Sequence, residues 1–127
     1  MRIYIAGQIT GLKNYQKHFE KAETFLHDFF STRKINIETL NPAKLVDGDT
    51  WESCMIDCQK LIKEASHIYL LDNYKKSCGA LQEVIYAYKY DLMWLRRNKL
   101  IDNRLEECML SPERLSELFQ DICPRKG

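Results

Sequence analysis

The chain has 127 residues, of which 45% are hydrophobic and 29% are charged, a composition typical of one soluble domain with a substantial core. Its 19 basic and 18 acidic residues give a net charge of +1, so overall charge does not favour a nucleic acid polymer or a membrane surface as partner. No apolar run approaches the roughly 20 residues that span a bilayer, and the first residues lack a signal-peptide pattern.

Five cysteines occur at irregular spacing. An odd number without a CxxC pair is typical of reduced thiols in a cytoplasmic protein. The same absence of ligand spacing gives no prediction of a metal site.

Strands and helices alternate from the first residues. Arg2–Ala6 is a β-rich run that predicts the first strand. Apolar residues then recur at spacings of four and three over residues 15–30, which predicts an amphipathic helix. Residues 35–40 alternate as a second, edge-type strand. A second helix is expected to begin after Asp49 or Thr50, which are both suitable N-cap residues.

The helix that begins near Thr50 has its own apolar stripe. We expect the following residues to face the core: Trp51, Met55, Cys58, Ile62 and Ala65. Asp57 borders that stripe, where a carboxylate is costly unless it is paired or functional.

The most informative stretch begins with the apolar run His67–Asp72, which predicts a buried parallel strand. Ser77 is a good N-cap for the helix that follows, and Gly79 would let a ligand approach its first turn. Glu83 lies four residues after Gly79, on the same helical face. These features predict a ligand site at a sheet edge. A solvated glutamate on an amphipathic helix is an equally weighted alternative on this local pattern.

A fourth strand is predicted at Leu92–Leu95, and Ser111-Pro112 predicts the start of a terminal helix. Strands that alternate with helices require a mostly parallel sheet with helices on both faces. The predicted fold is therefore a three-layer, Rossmann- or flavodoxin-like α/β domain of four to five strands with a C-terminal helical tail. Residues 1–97 would form the α/β unit and residues 98–127 a helical extension of the same domain.

In such folds, ligands bind beyond the C-terminal ends of the strands. That rule brings together the Gly7–Gly11 loop, Asn41, Asp72, Asn73 and the start of the Ser77 helix. The loop is neither GxGxxG nor GxxxxGK[ST], so the dinucleotide fingerprint and the P-loop are both absent.

Four segments at this order and spacing resemble the nucleoside 2-deoxyribosyltransferase-like superfamily, in particular its small bacterial and phage members, over about residues 1–95. The segments are Ile3–Gly11, Asn41-Pro42, Thr50–Leu61 (with Met55 and Asp57), and Asp72–Tyr74 leading to Ser77-x-Gly79-Ala80-x-x-Glu83. The deoxynucleoside 5′-monophosphate N-hydrolases are similar in the same places. The resemblance implies an enzyme that cleaves or transfers the N-glycosidic bond of a nucleoside or nucleotide.

By this resemblance, Glu83 is the nucleophile, Asp57 assists at the base or sugar, and Tyr4 lies near the site. The resemblance and the predicted sheet edge together give the expected substrate-binding residues as Gly7, Gln8, Ile9, Thr10, Gly11, Asn41, Asp72, Asn73, Ser77 and Gly79. No cofactor is expected, the partner is a small nucleoside or nucleotide, and a homodimer is expected. The chain departs from its relatives at Gln8, where many have proline and the hydrolases serine, and at Thr10, where the hydrolases have arginine.

Two other functions fit parts of the pattern. A nucleotide-binding module without turnover could use the same scaffold, because a fold does not fix a function. A receiver-type signalling domain would need an acidic cluster at its strand ends, whereas the first strand ends in Ile5-Ala6.

Overall fold

The computed structural model describes residues 1–9, 11–45, 50–100 and 104–122, and it confirms the predicted α/β class. The strands are β1 (Arg2–Ala6), β2 (Glu38–Leu40), β3 (His67–Leu70), β4 (Met93–Asn98) and β5 (Arg104–Glu107). The helices are α1 (Tyr15–Ser31), α2 (Pro42–Leu45), α3 (Trp51–Glu64), α4 (Cys78–Lys89) and α5 (Pro112–Ile122). A 3₁₀ turn, Tyr74–Lys76, precedes α4.

The five strands form one sheet in the order β2-β1-β3-β4-β5. The first four are parallel, and β5 runs antiparallel to β4. The extension after residue 97 was expected to be helical, but it also supplies β5. This strand has the sequence RLEE, and charged residues are common on edge strands, so its hydrophobic pattern is too weak to recognise.

Alternation along β1 divides the core into two halves. Ile3 and Ile5 face α1, whereas Tyr4 and Ala6 face the cluster built from α3 and α4. Because successive side chains of a strand point to opposite faces, Tyr4 is directed toward the helices that follow β2 and β3. Leu115 of α5 packs into this second half, so helices cover both faces of the sheet.

Both predicted helix starts are confirmed. The Thr50 hydroxyl accepts a hydrogen bond from the Ser53 N–H at 3.1 Å, and the Ser77 hydroxyl accepts one from the Ala80 N–H at 3.2 Å. Trp51 differs from the prediction, because it is 48% exposed instead of facing the core. The first turn of α3 packs beside the first turn of α4, where Trp51 approaches Gly79.

Cys54, Cys58 and Cys108 are free thiols, whereas Cys78 is disulfide-bonded. The expectation of five reduced cysteines is therefore wrong at Cys78. Within the described ranges, no helix combines the length and apolar character needed to cross a membrane.

Candidate functional site

A cavity of about 650 Å³ lies where the first turns of α3 and α4 meet the segments that follow β1 and β2. The described lining residues are Gly7, Ile9, Tyr15, Pro42, Ala43, Thr50, Trp51, Cys54, Met55, Cys58, Lys76, Ser77, Cys78, Gly79, Ala80 and Glu83. This volume is in the range of small-molecule sites. Its position at the C-terminal ends of parallel strands is the expected place for a ligand in this architecture.

Glu83 is the one carboxylate among the described lining residues, and its side chain is hydrogen-bonded to Tyr4. The Tyr4 phenol donates to Glu83 Oε2. Tyr4 is fully buried and Glu83 is 5% exposed. A carboxyl at this depth is costly without a partner, so the phenol is what makes the position of Glu83 tolerable.

Burial raises the pKa of Glu83 from 4.5 to about 8, and the Tyr4 hydrogen bond acts in the opposite direction. Desolvation penalises the charged carboxylate, whereas a donated proton stabilises it. Burial, followed by the neighbouring Glu83, raises the pKa of Tyr4 well above its ordinary value. At neutral pH the phenol is therefore a donor, and most of Glu83 carries its proton.

Cys58 of α3 also faces this pair. It is 6% exposed, lines the cavity and belongs to the same buried cluster as Tyr4. Burial raises the pKa of Cys58 to about 12. The apolar stripe of α3 predicted Cys58 as a core residue, and the structure buries it in the wall of the cavity.

The start of α4 forms another wall. The hydroxyl of Ser77 is used to cap the helix, and a Cβ placed on Gly79 would meet its neighbours at 3.7–3.8 Å, an ordinary contact distance. Lys76 also lines the cavity and is the one cationic side chain among its described lining residues. Lys76 was not among the predicted site residues, although its place beside the N-cap Ser77 was a usable signal.

The loop after β1 contributes in a different way from that expected. A Cβ on Gly7 would lie 2.4 Å from Leu71 Cδ1, so this glycine permits close packing of two loops. The Gln8 N–H donates to Asn73 Oδ1 at 3.0 Å, which ties the loops together. Ile9 lines the cavity, and Gly11 has a φ of +82° that favours glycine. Thr10 lies outside the described residues.

Seven of the expected site residues that the structure describes do not line the cavity: Tyr4, Gln8, Gly11, Asn41, Asp57, Asp72 and Asn73. Asn41 is buried, where its Nδ2 donates to Glu23 at 2.8 Å and its Oδ1 accepts from the Ala43 N–H. Asp72 is exposed and pairs with Lys99 at 2.9 Å.

Asp57 is half-buried on α3. Cys54 and Cys58 of the same helix reach the cavity, and Asp57 is not among its lining residues. The structure therefore brings together Glu83, Tyr4, Ser77 and Gly79, and leaves Asp57 beside them.

Residues 1–94 match a family described as "Domain of unknown function (DUF4406)". The chain belongs to this family. The match covers β1 through α4 and ends within β4, so every described cavity residue of this DUF4406 chain lies inside it. No match is found among curated proteins.

Metal-binding side chains do not converge in the described part of this DUF4406 chain: no group of three His, Cys, Asp or Glu residues there could hold an ion. The chemistry available at the cavity is that of one buried carboxyl with the Tyr4 phenol bonded to it, the two free thiols of Cys54 and Cys58, and one lysine.

Proposed function

We propose that this DUF4406 chain cleaves or transfers the N-glycosidic bond of a nucleoside or nucleoside 5′-monophosphate, with Glu83 as the nucleophile. One observation carries the proposal: a buried carboxyl, hydrogen-bonded to Tyr4, forms part of the wall of a cavity of about 650 Å³ at the sheet edge. The resemblance to the nucleoside 2-deoxyribosyltransferase-like superfamily supports the same role for Glu83.

The proposed reaction begins as the bond between the base and the anomeric carbon breaks. Positive charge develops on the sugar, and a carboxylate beneath it stabilises that charge or forms a covalent ester. The bonding electron pair leaves with the base. Water or a second base then attacks the anomeric carbon and releases Glu83, which gives net retention of configuration.

Tyr4 has a defined part in this reaction. A nucleophile must be ionised, and the phenol hydrogen bond favours the ionised form of Glu83 against the effect of burial. The positive charge that develops on the sugar also favours the ionised form of Glu83. We therefore expect activity to rise with pH, and the midpoint of this rise to lie near the Glu83 pKa of about 8.

Other parts of the cavity fit a nucleoside. Trp51, Met55, Tyr15 and Ile9 offer apolar surface to a planar base. Lys76 and the start of α4 offer positive charge to an anionic group. Asp57 could supply a proton to the departing base only from beside the cavity. We further propose a cytoplasmic homodimer that needs no cofactor.

A non-catalytic nucleotide-binding module is the second candidate. It is favoured by the Glu83 pKa of about 8, since a carboxyl that keeps its proton at neutral pH is a poor nucleophile.

Turnover separates the two candidates. Purified protein is incubated at pH 7 and pH 8.5 with a panel of nucleosides and 5′-monophosphates, and free base is measured by chromatography. The enzyme proposal predicts base release that Glu83→Gln abolishes and that the exposed control Glu20→Gln preserves. Ligand binding without base release from any panel member would favour the binding module.

A further inference from the structure

We propose that the chain has a second ligand site, separate from the Glu83 cavity, that binds an anion with several phosphoryl groups. The site lies at the C-terminal end of β4, beside the segment that follows β3, where two cavities of about 350 and 250 Å³ adjoin. Among the described residues, neither of them shares a lining residue with the Glu83 cavity. Binding at this site therefore does not depend on the proposed enzymatic function.

The lining of these two cavities is strongly basic. Their described lining residues include five lysine or arginine side chains and one carboxylate, although the whole chain is nearly neutral, with 19 basic and 18 acidic residues. The cations are Lys21, Lys75, Arg96, Arg97 and Lys99, and the acid is Asp72. Charge of one sign gathered in a cavity attracts ions of the opposite sign, so the expected ligand is an anion.

The end of β4 places two of these cations on opposite faces of the sheet. Trp94 and Leu95 belong to the two different halves of the core. Because successive side chains of a strand alternate, Arg96 lies on the α4 side of the sheet and Arg97 on the α1 side. The Arg97 guanidinium lies over Phe25 of α1, with Cζ 4.3 Å from the ring centroid. The two arginines therefore flank the strand end from both faces.

The spread of the cations indicates an anion longer than one phosphate. Arg97 and Lys99 line both cavities. Lys75 and Arg96 line the larger cavity, and Lys21 lines the smaller one. A chain of phosphoryl groups could follow these cations from one cavity into the other, and guanidinium groups bind phosphoryl oxygens through paired N–H donors.

Two acids lie close to these cations. Asp72 Oδ2 accepts from Lys99 Nζ at 2.9 Å, and both side chains are more than half exposed. An exposed pair of this kind contributes little to stability, so Lys99 can exchange Asp72 for a phosphoryl oxygen at low cost. Glu106 of β5 is paired in register with Arg96 and accepts a hydrogen bond from Asn98 at 2.9 Å.

The test is isothermal titration calorimetry with inorganic tripolyphosphate in a low-salt buffer, because salt screens exposed charges. We expect wild-type protein to bind, and Arg96→Gln and Lys99→Gln each to weaken binding about tenfold through the loss of a charge-assisted hydrogen bond. Asp72→Asn should tighten binding about two- to fivefold, because it removes the competing carboxylate. Lys63→Gln makes the same charge change in the last turn of α3 and should keep wild-type affinity. All four positions are exposed, so the variants should fold.

ATP tests the source of the phosphoryl chain. Equal affinities for ATP and tripolyphosphate, with the same order of variants, would show that the phosphoryl chain alone is recognised, whereas tighter binding of ATP would identify a nucleotide. Lys76→Gln and Glu83→Gln change the other cavity and should leave the affinity for tripolyphosphate unchanged. Tripolyphosphate binding by a protein that releases no base would support the second site and reject the enzyme.

Three results would overturn the second site. The first is no binding of tripolyphosphate by wild-type protein. The second is a loss of affinity that is equal in Lys63→Gln and Arg96→Gln, or that follows Lys76→Gln instead. The third is tighter binding of a single-stranded oligonucleotide than of tripolyphosphate, lost in the same variants, which would make the basic surface a nucleic acid interface.

Discussion

Glu83→Gln should change how stability depends on pH. The fold raises the pKa of Glu83 from 4.5 to about 8, chiefly through burial. A raised acid pKa means that the folded state holds a proton that the unfolded chain has released. Stability from this group is therefore fully present below pH 4.5 and is lost as pH rises to about 8.

The size of the effect follows from the same pKa. Each pKa unit is worth about 1.4 kcal/mol, so the loss across the whole window reaches about 5 kcal/mol at most. A domain of this size has a total stability of about 5–15 kcal/mol, which makes the decline large enough to measure. Glutamine is nearly isosteric with glutamate and does not ionise, so the stability of Glu83→Gln should not show this decline with rising pH.

The assay is urea unfolding of both proteins at pH 5 and pH 9, followed by circular dichroism. Other groups, such as His67 with its lowered pKa, are present in both proteins and cancel in the comparison. The wild type should lose several kcal/mol more than Glu83→Gln between the two pH values. Parallel losses within about 0.5 kcal/mol would refute the buried, proton-holding Glu83, because no burial penalty would then act on its carboxylate.

Four further substitutions test other parts of the site. Tyr4→Phe removes the donor that holds down the pKa of Glu83, so the midpoint of the activity–pH profile should move to higher pH; an unchanged midpoint would contradict the hydrogen bond. Gly7→Ala should lower the free energy of unfolding by about 1–3 kcal/mol because its Cβ has no room, whereas Gly79→Ala, with ordinary contacts, should keep its thermal midpoint. Asp57→Asn should lower base release with little change in melting temperature; normal activity with a large drop in melting temperature would make Asp57 structural.

Local chemistry was enough to predict much of the fold and one wall of the site. Ser77 and Thr50 were identified as helix caps because short hydroxyl side chains accept early N–H groups. The alternation of strands with helices indicated the parallel sheet. Glu83 was expected at the border of its apolar stripe, and the structure buries it.

What the sequence could not supply was long-range pairing. The bond between Tyr4 and Glu83 joins residues 79 apart, and it depends on the side-chain alternation of β1 and the rotation of α4 about its axis. Cys58 was predicted only as a core residue of α3, and its place in the cavity wall depends on how α3 packs against other elements. The strand β5 was missed because its pairing with β4, not its composition, makes it a strand.

Gln8 and Asn73 are a second case in which the sequence could not show the partner of a polar group. Both were expected to bind substrate, whereas a hydrogen bond from the Gln8 backbone to the Asn73 side chain links two loops. Asn41 likewise bonds to Glu23 and the Ala43 backbone. Polar residues at a sheet edge can either bind a ligand or hold neighbouring loops together, and only their hydrogen-bond partners distinguish the two roles.

The most direct test of Glu83 as a nucleophile is a search for a covalent sugar. Fluorine at the 2′ position destabilises a cationic transition state at the sugar, so a trapped intermediate should clear slowly. Wild-type protein is incubated with a 2′-fluoro nucleoside and its 5′-monophosphate at pH 8.5, digested and analysed by mass spectrometry, with Glu83→Gln as control. We expect one added sugar mass on the peptide containing Glu83, absent from Glu83→Gln. Base release with inverted configuration and no adduct would contradict the nucleophilic role.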